Sequence, residues 1–369
     1  MKLNHIYKSI ACGVLLAMTA TSCDLDYNPV DTYSDVTEGV NKTDEKPIFN
    51  SVQDVETSMV TLHKKFRDRQ EHWYVDKLLI GDAHSDNAYA GTTGAEVVPY
   101  ETNSIEGSNS VLKRDWDRFL GDIAVANRII VGCDQLKALS ESERGKYQSQ
   151  AKIFRAMVMF DMVRLWGNFP VITTVGGDIT EDNVEEMYPT YFPPQNTAEE
   201  AYAQIEKDLT EAVENPNTPT NDTSDKSILT KSVARAMLAK VYAEKPLRDY
   251  AKVIKYADEL AADGFDLVED FSDLWAYDTE KKDCRVRNTK EAILEAHFPP
   301  GSGNWCTWMF GRNLSNWDES FTWAKWITPS RDLIRLYEEQ GDTKRYNESV
   351  VWYDCGWSNY YPADPYAFM

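Results

Sequence analysis

A chain of 369 residues carrying 39 basic and 60 acidic side chains has a formal charge of −21. That balance repels phosphate backbones and anionic lipid headgroups, which argues against nucleic acid and against an electrostatic membrane-surface mode. Hydrophobic residues at 42% and aromatics at 12% suffice for a large core in one big domain or two, and the charge favours a neutral or cationic ligand.

In chain order, the first element is an apolar run at residues 10–20, introduced by Lys2 and Lys8. It has the length of a signal-peptide core and falls short of the roughly 20 residues that a membrane-spanning helix needs. Ala20, Thr21 and Ser22 then lead to Cys23, a pattern that resembles a bacterial lipoprotein cleavage site with Cys23 as the lipidated first residue, although Leu is usual where Ala20 stands. Ordinary secretion with cleavage nearby is the alternative. Removing the leader takes away Lys2 and Lys8, so 37 basic residues (39 less 2) face 60 acidic ones and the net charge falls to near −23. Residues 23–50 are acidic and without period, an extended tether. Beyond Cys23 stand Cys133, Cys284, Cys306 and Cys355, none in a CxxC pair. Two disulfides in any of three pairings, or isolated buried thiols, are the readings this leaves open.

Helical signals follow, mostly in pairs. Ser51 with Asp54 resembles a capping box that opens a helix through about Phe66. A further helix, ending near Leu79, runs into a Gly- and Thr-rich loop. Residues 117–136 place Leu120, Ile123, Ala124, Asn127 and Val131 on one stripe. Residues 151–166 hold only four charged side chains, Lys152, Arg155, Asp161 and Arg164, on opposite sides of the wheel, so this helix is expected to be covered on more than one side. Gly167 suits a left-handed C′ position and Pro170 cannot continue the helix, which leaves Trp166 packing where the chain leaves the core. Thr197 with Glu200 forms another capping box, followed by the stripe Tyr202, Ile205, Leu209 and Ala212. Residues 231–242 repeat Arg155-Ala-Met157 as Arg235-Ala-Met237 and carry the small stripe Ala236, Ala239 and Ala243. After a turn with Pro246, residues 249–262 put Tyr250, Val253, Ile254, Ala257, Leu260 and Ala261 inward, with Lys252, Lys255, Asp258 and Glu259 toward water. This helix-turn-helix unit has the size of a tetratricopeptide repeat of about 34 residues.

The segment AKIFRAMVMFDMVRLWGNFPVIT, residues 151–173, resembles the hallmark of the SusD/RagB family of Bacteroidetes outer-membrane lipoproteins, of the type Arg-Ala-x-x-x-Phe-x-x-Val-Arg-x-Trp-Gly-x-x-Pro. Further segments resemble the family in order. Ala126-Asn127-Arg128-Ile129-Ile130 is similar to its Ala-Asn-x-Ile-Ile helix, residues 197–212 to its Ile-x-x-Asp-Leu-x-x-Ala stretch, and residues 232–242 to its Ala-rich helix. Residues 327–337 with Gly341, Asp342 and Arg345 resemble its Pro-Thr-x-x-Leu-x-x-x-Tyr and Gly-Asp-x-x-Arg segments, so the likeness runs from Cys23 to about Arg345. Members usually continue into a helical segment of the type Arg-x-x-Asp/Glu-x-x-Leu-x-x-Ala-Glu, which is not met before Met369. If such helices cover an apolar face, poor solubility is expected of the chain. The resemblance implies an all-α dominated fold, a tetratricopeptide-like helical scaffold with long loop-rich insertions and a few short strands. The domain expectation is a leader at 1–22, a tether at 23–50 and a single domain at 51–369. Within it the scaffold would occupy about 51–265, an aromatic ligand-binding part about 266–330, and an incomplete C-terminal part about 331–369. The resemblance further implies a surface-exposed glycan-binding lipoprotein, anchored in the outer membrane by its N-terminal lipid. It would pass oligosaccharide or polysaccharide to a SusC-like TonB-dependent transporter, with no cofactor. Asp24 and Asp26 resemble the surface-export signal of such lipoproteins.

The residues point the same way independently. A neutral sugar needs flat apolar faces for its C–H surface and sparse polar groups at the rim. Between Trp305 and Trp326 stand five of the eleven tryptophans, with Phe310 and Phe321, interleaved with Gly and Asn that argue for loop through Ser315. Trp305, Trp308 and Trp317 are the candidate stacking platforms, with Asn316 and Asp318 as rim hydrogen-bonders. Trp323 and Trp326, spaced i,i+3 before a helix start, are better read as packing. A second candidate, implied by the resemblance, is Asn87 with Tyr89 in the early loop, where family members often place a sugar-contacting aromatic or amide; a solvated turn is its bland alternative. Enzymatic motifs are missing: no Gly-x-Ser-x-Gly, no Gly-x-x-x-x-Gly-Lys and no His-Glu-x-x-His. His63, His72, His84 and His297 stand apart and read as surface or core residues. The competing functions are a tetratricopeptide-like peptide scaffold and, less favoured, a glycoside hydrolase, which needs only two carboxylates at a suitable separation.

Overall fold

The computed structural model describes residues 47–68, 71–90, 96–177, 179, 183–274, 277–278, 283–298 and 327–350. Short polar side chains set where most helices begin. Ser51 and Asp54 cap each other's backbone N–H groups at 3.3 and 2.9 Å and start α1, Val52–Asp68. Its buried residues Val55, Met59, Leu62 and Phe66 fall at helical spacing and form one face. Residues 71–83 then make two π-helical turns, Glu71–Val75 and Leu79–Ala83, around a short α-turn. A short helix α2, Val98–Glu101, precedes α3, Ser110–Gln135.

α3 starts seven residues before the expected Asp117, because Asn109 Oδ1 accepts from the N–H groups of Val111 and Leu112. Its first turn packs into a small second core of Leu79, Ala83, Val97, Tyr100 and Val111, where no long apolar stripe announces it. The stripe itself is turned from expectation. Phe119, Ile123, Ala126, Asn127, Ile130 and Cys133 face inward, while Ala124 is exposed and Val131 half-buried.

Ser140 and Glu143 form the capping box of α4, Glu141–Trp166, ten residues upstream of the expected start. The hydrogen bonds from Arg144 to the Cys133 carbonyl and from Gln148 to the Ile130 carbonyl run α4 antiparallel to α3. α4 is buried round most of its circumference, from Ala151, Ile153, Phe154 and Ala156 to Met159, Phe160, Met162 and Val163. The four charges of its residues 151–166 each find a partner on other elements. Lys152 meets Glu211 at 2.8 Å, Arg155 meets Asp208 at 2.7 Å, Asp161 meets Lys77 at 2.6 Å and Arg164 meets Glu244 at 3.1 Å. A helix with no polar face thus sits at the centre, as its sequence implied.

At its end Gly167 has φ 73° and ψ −77°, and the Asn168 N–H donates to the Trp166 carbonyl at 2.9 Å. The φ is positive as expected, but the turn is the tight three-residue kind rather than the left-handed helical cap. Trp166 is half-buried, edge-on to Trp116 at 5.3 Å and to Phe119 at 6.0 Å.

The chain continues through α5, Val184–Tyr191, to the Thr197/Glu200 capping box and α6, Ala198–Glu214, which buries Tyr202, Ile205, Leu209 and Ala212 as expected. α7, Lys231–Ala243, and α8, Tyr250–Ala262, form the helix-turn-helix pair. Arg235 ties it together with Glu259 at 2.8 Å and Asp263 at 2.6 Å. Two details of this pair correct the sequence reading. Ala236 and Ala239 are half-buried and Ala243 exposed, so the small stripe does not line the tightest approach. On α8 the buried residue is Tyr256, stacked on Tyr242 with centroids 6.1 Å apart, while Tyr250, Ile254, Ala257 and Ala261 face outward. Lys252, expected toward water, lies instead against the Tyr242 hydroxyl and Glu206.

Strands are few. β1, Ala88–Ala90, pairs antiparallel with β4, Ile327–Pro329, and β2, Tyr277–Asp278, with β3, Asp283–Cys284. After β4 come α9, Arg331–Gln340, and α10, Thr343–Ser349. The architecture is helix-dominated, with one main core shared by α1, α3, α4, α6 and α7. Cys133 is a free, buried thiol, pushed up to about 12 by burial.

Candidate functional site

Of the early-loop candidates, Tyr89 sits on β1 and Asn87 in the turn just before it, and the partner strand follows the aromatic-rich stretch. In the β1–β4 register Tyr89 stands opposite Thr328 and Ala90 opposite Ile327, one residue after Trp326. Ser330 locks this junction: its N–H donates to the Asn87 carbonyl, its hydroxyl donates to the Asp86 carbonyl, and the same oxygen caps α9 by accepting from the Leu333 N–H. Two stretches some 240 residues apart in sequence are thereby held together. A residue buried to 2% performs this, in the segment whose Thr-Pro-Ser motif opens α9.

Beside the junction lies a recess of about 290 Å³ lined by Asp86, Asn87, Asp332, Arg335, Leu336 and Glu339. Arg335 is engaged by Asp332 at 3.0 Å and approaches Glu339 at 3.8 Å, so three carboxylates and one guanidinium leave the lining acidic. Such a surface repels anions and offers acceptors to hydroxyl donors. Tyr89 is 42% exposed, and no partner of the Asn87 amide is found among the described residues. Asp332 and Glu339 were not legible as site residues, since only strand pairing brings α9 to the early loop. Trp305, Trp308, Asn316, Trp317 and Asp318, like Cys23, lie outside the described residues.

The segment leading to Asn87 rests on buried charges. Asp76 and Asp115 are both buried, and Arg114 pairs with Asp76. Burial, with Asp76 beside it, pushes Asp115 up to about 9, so it holds a proton at neutral pH. Burial also raises the Tyr100 phenol and lowers His72, whose Nε2 lies 3.0 Å from Asp122. His63 contacts Gln150, His84 contacts Asn103 and His297 contacts Glu295, and each histidine is thereby accounted for structurally. Among the described residues no group of three or more His, Cys, Asp or Glu could hold a metal ion, and no helix is long and apolar enough to cross a membrane.

A second arrangement explains the hallmark text. Arg155 makes a two-pronged contact with Asp208 at 2.7 and 2.8 Å and donates to Asn127 Oδ1 at 2.7 Å. The Asn127 amide donates in turn to the carbonyls of Ile172 and Thr174, at 2.9 and 3.2 Å. All three side chains are buried to 4% exposure or less. Three separated motifs thus converge on one network, which fastens the segment leaving Gly167 to the core.

Comparison with known proteins agrees with this architecture. Residues 33–243 match the SusD-like family described as "Starch-binding associating with outer membrane". A SusD-like protein of Bacteroides ovatus is 25% identical over 309 residues, which cover 80% of this chain and 50% of that protein. A SusD superfamily protein from Bacteroides thetaiotaomicron superposes with a TM-score of 0.60 at 18% identity, covering 77% of this chain and 62% of the other. Surface glycan-binding protein A from the same organism, solved in complex with laminarihexaose, superposes with a TM-score of 0.53 at 16% identity, covering 67% and 49%. The chain therefore spans about half the length of the curated relative it matches.

Proposed function

The chain belongs to the SusD/RagB family, and we propose that it is a non-enzymatic glycan receptor at the outer cell surface. It is anchored through a lipid on Cys23, captures oligosaccharide or polysaccharide, and delivers it to a SusC-like TonB-dependent transporter. In this reading residues 1–22 are the leader, 23–50 a tether and 51–369 one domain. Its scaffold spans about 51–265, its ligand-binding part about 266–330 and its C-terminal part about 331–369. The saccharide stacks on Trp305, Trp308, Trp317 and Tyr89, and Asn316, Asp318 and Asn87 bind its hydroxyls.

The observation that carries the reading is the family match, whose members are described as starch-binding, over 33–243. The acidic recess beside exposed Asn87 and Tyr89 supports it, because carboxylate and amide acceptors next to an open ring suit a neutral polyhydroxylated ligand. Starch, and laminarin because a structural relative was solved with laminarihexaose, are the first polysaccharides to screen.

The test is affinity electrophoresis of the protein and its Trp305→Ala/Trp308→Ala variant through gels carrying those polysaccharides, xylan and galactomannan. Retardation by one gel, lost in the variant and without release of reducing ends, is the expected result. Release of shorter sugars would make the chain a glycoside hydrolase instead. No retardation of a folded protein by any of them would favour a tetratricopeptide-like peptide scaffold.

A further inference from the structure

The tight turn at Gly167 leads into residues 171–197, and the helix within them is not built to fill the core. α5 buries none of its described residues, yet Tyr188, Tyr191 and Phe192 are exposed to 55%, 48% and 67%. Val184 on the same helix and Ile179 ahead of it in the chain are exposed as well. An eight-residue helix is marginal alone, and rings left half or more in water return only part of the burial energy that would explain their presence.

The patch is nonetheless held in place. The Tyr191 hydroxyl donates to the Gly177 carbonyl at 2.6 Å. A Cβ on Gly176 would come within 3.2 Å of Tyr191 Cζ, and one on Gly177 within 3.2 Å of Met187 Cε. Neither glycine has a positive φ, so both serve close approach to α5 rather than an unusual backbone. Tyr188 and Phe192 lie 4.7 Å apart with planes inclined by 32°, a near-stacked pair open to solvent. Glu185 and Glu186 on the same helix are exposed and make no ion pair among the described residues.

We infer that the ring-bearing side of α5 is a second saccharide platform, on which a neutral pyranose chain stacks against Tyr188, Phe192 and Tyr191 while Glu185, one turn before Tyr188, accepts from its hydroxyls. This rests on the glycan-receptor reading. Sugar fits the patch better than a protein partner does. Burying unpaired carboxylates against protein is costly, whereas hydroxyl donors satisfy them. Three rings and two aliphatic side chains are also a small surface beside the roughly 800 Å² per partner of a stable protein interface. The carboxylates reject phosphate and anionic lipid. A polymer engaging both this face and the β1–β4 site gains effective concentration, and a short oligosaccharide does not.

The experiment compares the protein with its Tyr188→Ala/Phe192→Ala variant on gels carrying starch, laminarin, xylan or galactomannan, with a Tyr188→Trp/Phe192→Trp variant as the conservative control. Melting temperatures check that all three are folded. The expected result is polysaccharide affinity weakened about tenfold or more in the alanine variant and kept in the tryptophan variant. Calorimetric titration with the hexasaccharide of the retarding polymer should show two sites in the protein and one in the alanine variant. Equal retardation and equal stoichiometry of protein and alanine variant would overturn the second platform while leaving the receptor reading intact. No retardation of the unaltered protein on any gel would overturn both.

Discussion

Replacing Arg155 with Met tests the network that fastens the hallmark segment. Methionine keeps the length and much of the packing of the aliphatic stem and removes the guanidinium. Asp208, with its side chain 1% exposed, then keeps only the Gln204 amide at 2.9 Å, and Asn127 Oδ1 loses its 2.7 Å donor. Breaking a buried ion pair from one side costs about 3–5 kcal/mol, because the remaining charge is left without compensation. At roughly 1.5–2 °C per kcal/mol for a domain of this size, the melting temperature should fall by about 5–10 °C. The assay is thermal unfolding of the single variant beside Arg155→Met/Asp208→Leu. Removing both charges leaves only Asn127 and the half-buried Gln204 amide short of a partner, so the double variant should recover most of the loss. A single variant that melts within 2 °C of the parent, or a double variant less stable than the single one, would refute the reasoning.

Trp166→Ala removes a half-buried ring packed edge-on to Trp116 and Phe119, and should cost about 3 kcal/mol, the low end for deleting a large aromatic; an unchanged melting temperature would contradict this. Asp115 keeps its proton in the folded chain up to about pH 9, whereas the unfolded chain releases it near 3.8. The folded state then binds more protons across that window, so this residue's contribution to stability is greatest below pH 3.8 and declines as the pH rises to about 9. Asp115→Asn should flatten the decline of melting temperature between pH 5 and pH 9, and an identical slope would count against the assignment. Tyr89→Ala should weaken binding of the retarding glycan by about 1 kcal/mol, the order of one aromatic contact, with no change in melting temperature. Equal affinity would remove Tyr89 from the site.

Much of the scaffold was legible because it obeys local rules. The Ser51/Asp54 and Thr197/Glu200 boxes form as their spacing implied, and the buried stripe of α6 is the expected one. α4 was readable as central from its lack of a polar face. What failed was register and facing, which tertiary contacts decide. α8 presents Tyr250 and Ile254 outward and brings Lys252 to Glu206 and Tyr242, and nothing in its own period encodes that facing. The early start of α3 was missed because its first turn packs on a separate small core. Asn127 appeared in the sequence as one position of an apolar stripe and proves to be the polar centre of a network with Arg155 and Asp208. Of the candidate site, Asn87 and Tyr89 were named from the family resemblance of the early loop, whose composition alone favoured a solvated turn. The acidic wall from Asp332 and Glu339 was not, because a strand pair spanning some 240 residues brings it there. The exposed rings of α5 stood in the text between two recognisable motifs and matched neither.

Glycan capture is the central claim, and calorimetric titration of the protein with the hexasaccharide of the polymer that retards it tests that claim most directly. Saturable heat with the sugar recovered intact, and loss of most of that heat in a folded Trp305→Ala/Trp308→Ala variant, is the expected result. No heat from the folded protein, or the same heat in the variant, would contradict a site built on those rings.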